Sequence, residues 1–158
     1  MKLKIFLAPY LNLSVLFVFS TCPQAAFVPD PNQSEDVQEA TFRYFFTHEL
    51  AGSKAEAFCI SSTKTLPGDF TKRFASSDPP VVWSSKCPLG PTKSAPLVKG
   101  KQPAERVSIM SFHWITAVET EVRGHCRDGE LGSTQLVLHL VRINGRWAVV
   151  RIEREGDS

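Results

Sequence analysis

The clearest pattern of hydrophobic and polar positions lies in the C-terminal third of the chain. Apolar and polar residues alternate there as in half-buried β-strands. Four such runs follow one another with short polar connections, at residues 107–114, 118–126, 134–143 and 146–153. Consecutive strands without an intervening helix predict an antiparallel meander.

The dipeptide Asn144-Gly145 separates the last two runs. It predicts a type I′ hairpin, because this turn needs a positive φ at both central residues. The turn also sets a register, in which the predicted pairs are Ile143 with Arg146, Arg142 with Trp147, Val141 with Ala148, Leu140 with Val149, His139 with Val150, and Leu138 with Arg151.

A second pattern, near residue 40, has the 3.6-residue period of an amphipathic helix. Ser34 is a good N-cap, and acidic residues follow it where the helix dipole favours negative charge. Gly52 is the natural stop. The face is rich in aromatic residues, so we expect it to cover the meander. The predicted fold class is therefore α+β, an N-terminal helix packed on a curved antiparallel sheet.

The segment between the two patterns is less regular. Residues 55–61 predict a short strand, Pro67-Gly68 predicts a turn, and residues 69–75 predict a short helix. Residues 76–104 hold six prolines and predict a long loop. Loops of this length within a domain are uncommon and often functional.

The first 26 residues are typical of a secretory signal. Two lysines precede a mostly apolar run at residues 5–19, and Ala25-Ala26 offers small side chains for cleavage. The run is short and interrupted, which favours removal over a retained membrane span. We therefore expect a periplasmic or secreted protein, with residues 27–158 as one domain. Lipid attachment at Cys22 is an alternative.

Three cysteines lie outside the signal, and export places them in an oxidising compartment, where disulfides persist. The preferred pair is Cys59 with Cys87, which would close a loop of about 27 residues. Cys126 is then a free thiol, half-buried in a strand. Three buried thiols are the alternative.

Composition and charge limit the classes of partner. The chain is 42% hydrophobic and 22% charged, as expected for a globular domain. Two of its 18 basic residues lie in the signal, which leaves 16 basic and 16 acidic residues. A nearly neutral domain argues against nucleic acid as a partner and against bulk capture by anionic lipid.

Several segments together resemble those of a group of exported bacterial proteins. They cover most of residues 37–152 and comprise the helix at 37–44, the strand at 58–61, Phe74, Pro79-Pro80-Val81, residues 84–87 and the hairpin at 140–150. The closing hairpin is also similar to the last strands of cystatin-like and NTF2-like α+β domains. This resemblance implies a bent sheet curling around the helix. It implies no activity, because the NTF2-like fold hosts both enzymes and binding modules.

No cluster of residues has a catalytic or metal-binding signature. The four histidines lack metal-ligand spacing, and His125 and Cys126 are adjacent, so they point to opposite faces of a strand. A Cys126 nucleophile paired with His113 or His139 is a weaker interpretation than a core thiol. We therefore expect no catalytic residue, metal or cofactor.

A ligand pocket is the better candidate. An opening at one end of a sheet covered by a helix would be lined by Tyr44, His48, His139, Arg142 and Trp147. The alternative makes Tyr44 and Trp147 ordinary core residues and Arg142–Trp147 a surface pair. Trp83 beside two valines is either a protein-contact patch or an anchor for its loop.

The predicted function is an exported, non-enzymatic domain that binds a protein, peptide or small molecule, or that associates with the cell envelope. The alternative is a small-pocket NTF2-like enzyme doing proton transfer or hydrolysis. Glu119 and Glu121 lie opposite the apolar side of their strand and should be solvated, which favours binding over acid–base catalysis. A homodimer through the sheet is a further alternative.

Overall fold

The fold is known from a computed structural model, which describes residues 29–87, 104–128 and 132–155. The predicted signal and residues 88–103 of the proline-rich loop lie outside these ranges. One α-helix packs on a six-stranded, mostly antiparallel sheet that is not closed. The helix is α1 (Pro31–Tyr44), and the strands are β1 (Phe58–Ser62), β2 (Val81–Trp83), β3 (Glu105–Thr116), β4 (Glu119–Asp128), β5 (Gly132–Ile143) and β6 (Arg146–Glu155).

The predicted four-stranded meander is confirmed as β3 to β6, each strand antiparallel to the next. The strand order is β2-β1-β3-β4-β5-β6, and β1 runs parallel to both of its neighbours. Residues 76–104 were expected to form only a loop, but Val81–Trp83 within this range form strand β2. The short apolar run Val81-Val82-Trp83 follows two prolines and still pairs with Phe58, Cys59 and Ile60.

The helix begins three residues earlier than Ser34. Asp30 is its N-cap, with Oδ1 accepting a hydrogen bond from the Gln33 amide at 2.8 Å. Pro31 suits the first helical position, where its fixed φ is helical and its missing N–H has no partner to lose. After Tyr44 the helix continues as one π-helical turn, Phe45–Glu49, and the chain turns away at Gly52 with φ +80°.

The turn between β5 and β6 is the predicted one, with φ of 50° at Asn144 and 80° at Gly145. The four predicted pairs nearest the turn are confirmed. Beyond them the register shifts by one residue, because Val150 forms a β-bulge in β6. His139 therefore pairs with Arg151 rather than Val150, and Leu138 pairs with Ile152 rather than Arg151.

Aromatic side chains fill the space between α1 and the sheet. Phe42 and Phe45 are fully buried, and Phe70 and Phe74 join them from a 3₁₀-helix, Phe70–Phe74. Phe46 stacks on Phe58 of β1 with ring centroids 4.6 Å apart. The expectation that the aromatic face of the helix covers the meander is confirmed. Burial of these six phenylalanines contributes strongly to the stability of this small domain.

Ion pairs fix the ends of the helical segment. Arg73 donates to Glu39 Oε2 at 2.8 Å, to Asp36 Oδ1 at 2.9 Å and to Glu35 Oε2 at 3.0 Å, all on α1. At the other end, Arg154 of β6 binds Glu49 at 2.9 Å. These contacts tie α1 to the 3₁₀-helix and to the edge of the sheet.

Cys59 and Cys87 form a disulfide, the pairing preferred from the sequence, with Cα atoms 5.6 Å apart. Cys126 is a free thiol and is buried more fully than expected. The disulfide suggests an oxidising compartment. Among the residues that the structure describes, no helix is long and apolar enough to span a membrane.

Candidate functional site

The five residues predicted to line one pocket lie in three places. Tyr44 and His48 stack on the helical segment, with ring centroids 4.4 Å apart. Trp147 is buried against Trp114 at 5.6 Å, edge to face. Arg142 pairs with Trp147 across the hairpin and donates from Nε to the Gly145 carbonyl at 3.4 Å. Arg142 and Trp147 thus adjoin, as do Tyr44 and His48.

His139 is separate from the other four. Its neighbours Leu138 and Leu140 are fully buried on the side of the sheet that α1 covers. Side chains alternate along a strand, so His139 points to the opposite face. We call this opposite side of β3 to β6 the open face. The structure therefore does not bring His139 to an opening shared with Tyr44 or Trp147.

A cleft of about 440 Å³ lies between α1 and the β5–β6 hairpin. Its lining comprises Asp36, Glu39, Ala40, Arg43, Gly145, Arg146 and Trp147. Burial raises the pKa of Glu39, but hydrogen bonds from Arg73 and Arg43 outweigh it, so the pKa lies below its ordinary value. Arginine side chains thus neutralise the acidic side of this cleft. The contacts of Arg73 tie α1 to the 3₁₀-helix.

The open face carries a cluster of charged side chains around His139. Its Nδ1 lies 3.1 Å from Glu121 Oε1, and its Nε2 lies 3.3 Å from Glu153 Oε1. Arg151 reaches the same Nε2 at 2.9 Å and Glu153 at 3.2 Å. His139 is only 7% exposed, although it faces away from the helix. We call these four residues the His139 cluster.

The imidazole of His139 is positioned by three charged neighbours. The Arg151 guanidinium donates to the ring at Nε2, and the two glutamates lie within ion-pair distance of the ring nitrogens. A set of charged groups held in place in this way can recognise a polar ligand.

A shallow hollow of about 250 Å³ adjoins the cluster. It is lined by Ser111, His113, Glu121, Arg123 and Val137. His113 Nδ1 lies 3.9 Å from Glu121 Oε2, and Arg123 is held by Glu155 at 2.6 Å. A hydroxyl, an imidazole, a carboxylate and a guanidinium thus face outwards together, beside one aliphatic side chain. This surface offers hydrogen-bond donors and acceptors to a polar ligand.

The partners of His139 are not evident from the sequence. Glu121 was identified only as a solvated residue, and its side chain is in fact one-third exposed. Alternation shows which residues share a face within each strand. Only the register between β3, β4 and β5 shows that His113, Glu121 and His139 are neighbours on the same face of the sheet. No specific turn motif in the sequence predicts that register. The only signal for a site on this face was therefore the alternation of polar residues in the three strands.

Other chemistry has less support in the structure. Throughout residues 29–87, 104–126 and 133–155, no group of three or more histidine, cysteine or acidic residues is placed to hold a metal ion. Burial, together with the charge of Glu49, raises the pKa of the Cys126 thiol to about 11. This thiol therefore stays protonated near neutral pH and is a poor nucleophile.

Comparison with known proteins adds no relative. The chain matches no protein-family model, no curated protein and no solved structure. The relationship to cystatin-like and NTF2-like domains therefore stays a prediction.

Proposed function

We propose that the protein is a binding domain of an oxidising, extracytoplasmic compartment and that it contacts its ligand through the open face. The observation that carries the proposal is the His139 cluster with the adjoining hollow. Burying an imidazole on the face opposite α1 requires desolvation of charged groups, and His139 is not part of the hydrophobic core on the other side of the sheet. Positioned polar groups of this kind give a surface specificity for a ligand.

The packing on the other face also supports binding through the open face. Phe45 lies so close to β4 that its Cε2 atom is only 2.6 Å from the point where a side chain at position 124 would place its Cβ. The space between helix and sheet, where a small-pocket enzyme of this architecture would hold its substrate, is occupied there by aromatic rings. A kinship with cystatin-like or NTF2-like domains remains part of the proposal, supported by the helix-on-sheet architecture alone.

The second candidate is the enzyme, and one observation favours it. The ring nitrogens of His139 lie within 3.3 Å of two carboxylates, and an imidazole beside a carboxylate is a common arrangement for proton transfer. Its low exposure disfavours direct contact with a substrate. In this reading Glu121 and His139 are the groups that would carry the chemistry.

Site-specific photo-crosslinking in the exporting cell tests the proposal. A photoreactive phenylalanine derivative replaces Ser111 or Arg123 on the open face, or Glu56 in the loop before β1 as a matched exposed control. We expect a discrete adduct from positions 111 and 123 and none from position 56. An adduct of twice the protein mass would identify the ligand as a second copy.

Equal labelling from all three positions, or none from the open face, contradicts binding there. The enzyme is tested separately with Glu121→Gln and His139→Asn, assayed on a panel of ester, amide and phosphate substrates. Turnover that both substitutions abolish, in a protein that gives no open-face adduct, would favour the enzyme.

A further inference from the structure

Two hairpin tips meet at one end of the sheet. The β3–β4 turn holds Ala117 and Val118, and the β5–β6 turn holds Asn144 and Gly145. The amide of Arg142 donates to the Val118 carbonyl at 2.9 Å, which joins the two tips. We call the residues at 115–118, 142, 143 and 146 the tip surface.

The tip surface is unusually aliphatic for exposed turns. Ile115, Val118 and Ile143 are 45%, 50% and 49% exposed. Exposed turn positions usually hold glycine, asparagine, aspartate or serine, because these suit the backbone and are readily solvated. Alanine and valine at the tip of β3–β4 have neither advantage. The three exposed aliphatic side chains lie at the same end of the sheet and mark that end as an interaction surface.

Two arginine side chains lie beside these aliphatic groups. Arg142 and Arg146 are exposed, and within the described part of the chain neither forms a salt bridge. The acidic groups at this end are mostly occupied, since Asp30 caps α1 and Asp36 is bound by Arg73. Glu119 lies one residue inside the tip and is half-buried.

The beginning of α1 lies at the same end. The side-chain amide of Gln33 donates to the Ala117 carbonyl, so the first turn of the helix touches the β3–β4 tip. The polypeptide therefore enters the domain beside the tip surface.

We propose that the tip surface docks on a membrane that carries anionic lipid headgroups. The aliphatic side chains enter the interfacial region, and Arg142 and Arg146 bind phosphate oxygens. A protein partner fits less well, because the aromatic anchors typical of protein interfaces are absent from these seven positions. The domain is nearly neutral as a whole, so the attraction is local. This inference is independent of the ligand face proposed above.

Fluorescence reports which end of the domain meets the lipid. An environment-sensitive amino acid, dansylalanine, replaces Val118, or Val150 as control, since Val150 is 54% exposed on β6. The probe membrane is vesicles of equal parts phosphatidylglycerol and phosphatidylcholine. We expect a blue shift of the emission at position 118 and none at 150, and no shift with phosphatidylcholine alone. No shift at 118, or equal shifts at both positions, overturns the proposal.

Vesicle partitioning of variants measures the two contributions. All proteins are compared in the same processed form, verified by mass, because residues 1–26 would add their own affinity if retained. We expect Arg142→Gln with Arg146→Gln to weaken partitioning about 25-fold at low salt, roughly five-fold for each charge. Val118→Ser with Ile143→Ser should weaken it about ten-fold.

The matched controls are Val150→Ser and Lys54→Gln, which remove an equally exposed aliphatic group and an exposed charge elsewhere. Both should partition as the unmodified protein does. Circular dichroism confirms that each variant is folded. If the tip variants partition like the controls, the membrane does not contact this end and the proposal is wrong.

Discussion

The ring of Phe45 lies directly against Gly124. A Cβ atom at position 124 would stand 2.6 Å from Phe45 Cε2 and 2.8 Å from Cζ, which is closer than real contacts allow. The need for glycine here is steric rather than conformational, because the φ of Gly124 is not positive. Helix and sheet approach as closely as they do because this one position on β4 lacks a side chain.

We expect Gly124→Ala to lower the free energy of unfolding by about 1–3 kcal/mol, because the buried ring has no free space into which to move. Urea denaturation measures the change. Gly68→Ala is the control, since nothing lies within 4 Å of its Cβ position, and it should change stability by less than about 0.5 kcal/mol. Phe45→Leu in the Gly124→Ala background should recover part of the loss.

Removal of the disulfide is expected to destabilise the domain. Cys59 and Cys87 are 28 residues apart, and opening a loop of that length should cost about 3–4 kcal/mol, mainly by freeing the unfolded chain. The measurement is urea denaturation of Cys59→Ala with Cys87→Ala. Reductant should shift the unmodified protein towards the double variant and leave the double variant unchanged. Equal stability of the two proteins would show that the bridge does not form in solution.

Cys126 should be almost inert in the folded protein. Its raised pKa, about 11, keeps the thiol protonated, and burial hides it from reagent. We expect its alkylation at pH 8 to be on the order of a hundred-fold slower in buffer than in denaturing urea, because reaction requires opening of the sheet. Mass spectrometry of the peptide that contains residue 126 follows the rate. Rapid labelling in buffer would contradict the packing of β4.

The Arg73 ion pairs predict a pH dependence of stability. The pKa of Glu39 is lowered from 4.5 in the folded state, so its contribution is present above pH 4.5 and is lost as the pH falls through the lower folded value. We expect Arg73→Gln to cost about 1–2 kcal/mol at pH 7, a cost that shrinks below pH 4.5.

Lys72→Gln serves as the comparison for Arg73→Gln, because its 3.5 Å pair with Asp69 is exposed on both sides. It should leave stability nearly unchanged at either pH. The Arg73 guanidinium also lies over the Phe70 ring, 5.6 Å from its centroid. A stability difference between Arg73→Gln and the unmodified protein that does not narrow in acid would show that this packing, rather than the ion pairs, explains the cost.

Local signals made the meander and the aromatic helix face predictable. Asn144-Gly145 has only one common turn conformation, so the register next to it followed directly. The β-bulge at Val150 could not be predicted, because nothing in a run of aliphatic residues shows which one will be unpaired. Ser34 was the expected N-cap, although Asp30-Pro31, a cap followed by proline, is also a good beginning for a helix.

The candidate site was less predictable than the fold. A strand of three residues such as Val81–Trp83 carries no period, and its parallel partner β1 is recognised only in three dimensions. The His139 cluster draws on three strands, because β5 pairs with β4 on one side and with β6 on the other. Glu121 was omitted because the pairing of β4 with β5 was not predicted. Arg151 was omitted because the predicted hairpin register placed it opposite Leu138, whereas the bulge at Val150 places it opposite His139.

Strand β1 has both of its hydrogen-bonding neighbours later in the chain, β2 some twenty residues on and β3 nearly fifty. During synthesis or translocation, this hydrophobic segment emerges with nothing to pair with. Its longer partner β3 is complete only when residues 105–116 have been made, so this pairing is non-local and slow to form. A nascent chain halted before residue 105 would hold Phe58–Ser62 with no partner other than the three residues of β2, and its other edge would be exposed, which is the kind of segment that holding chaperones protect.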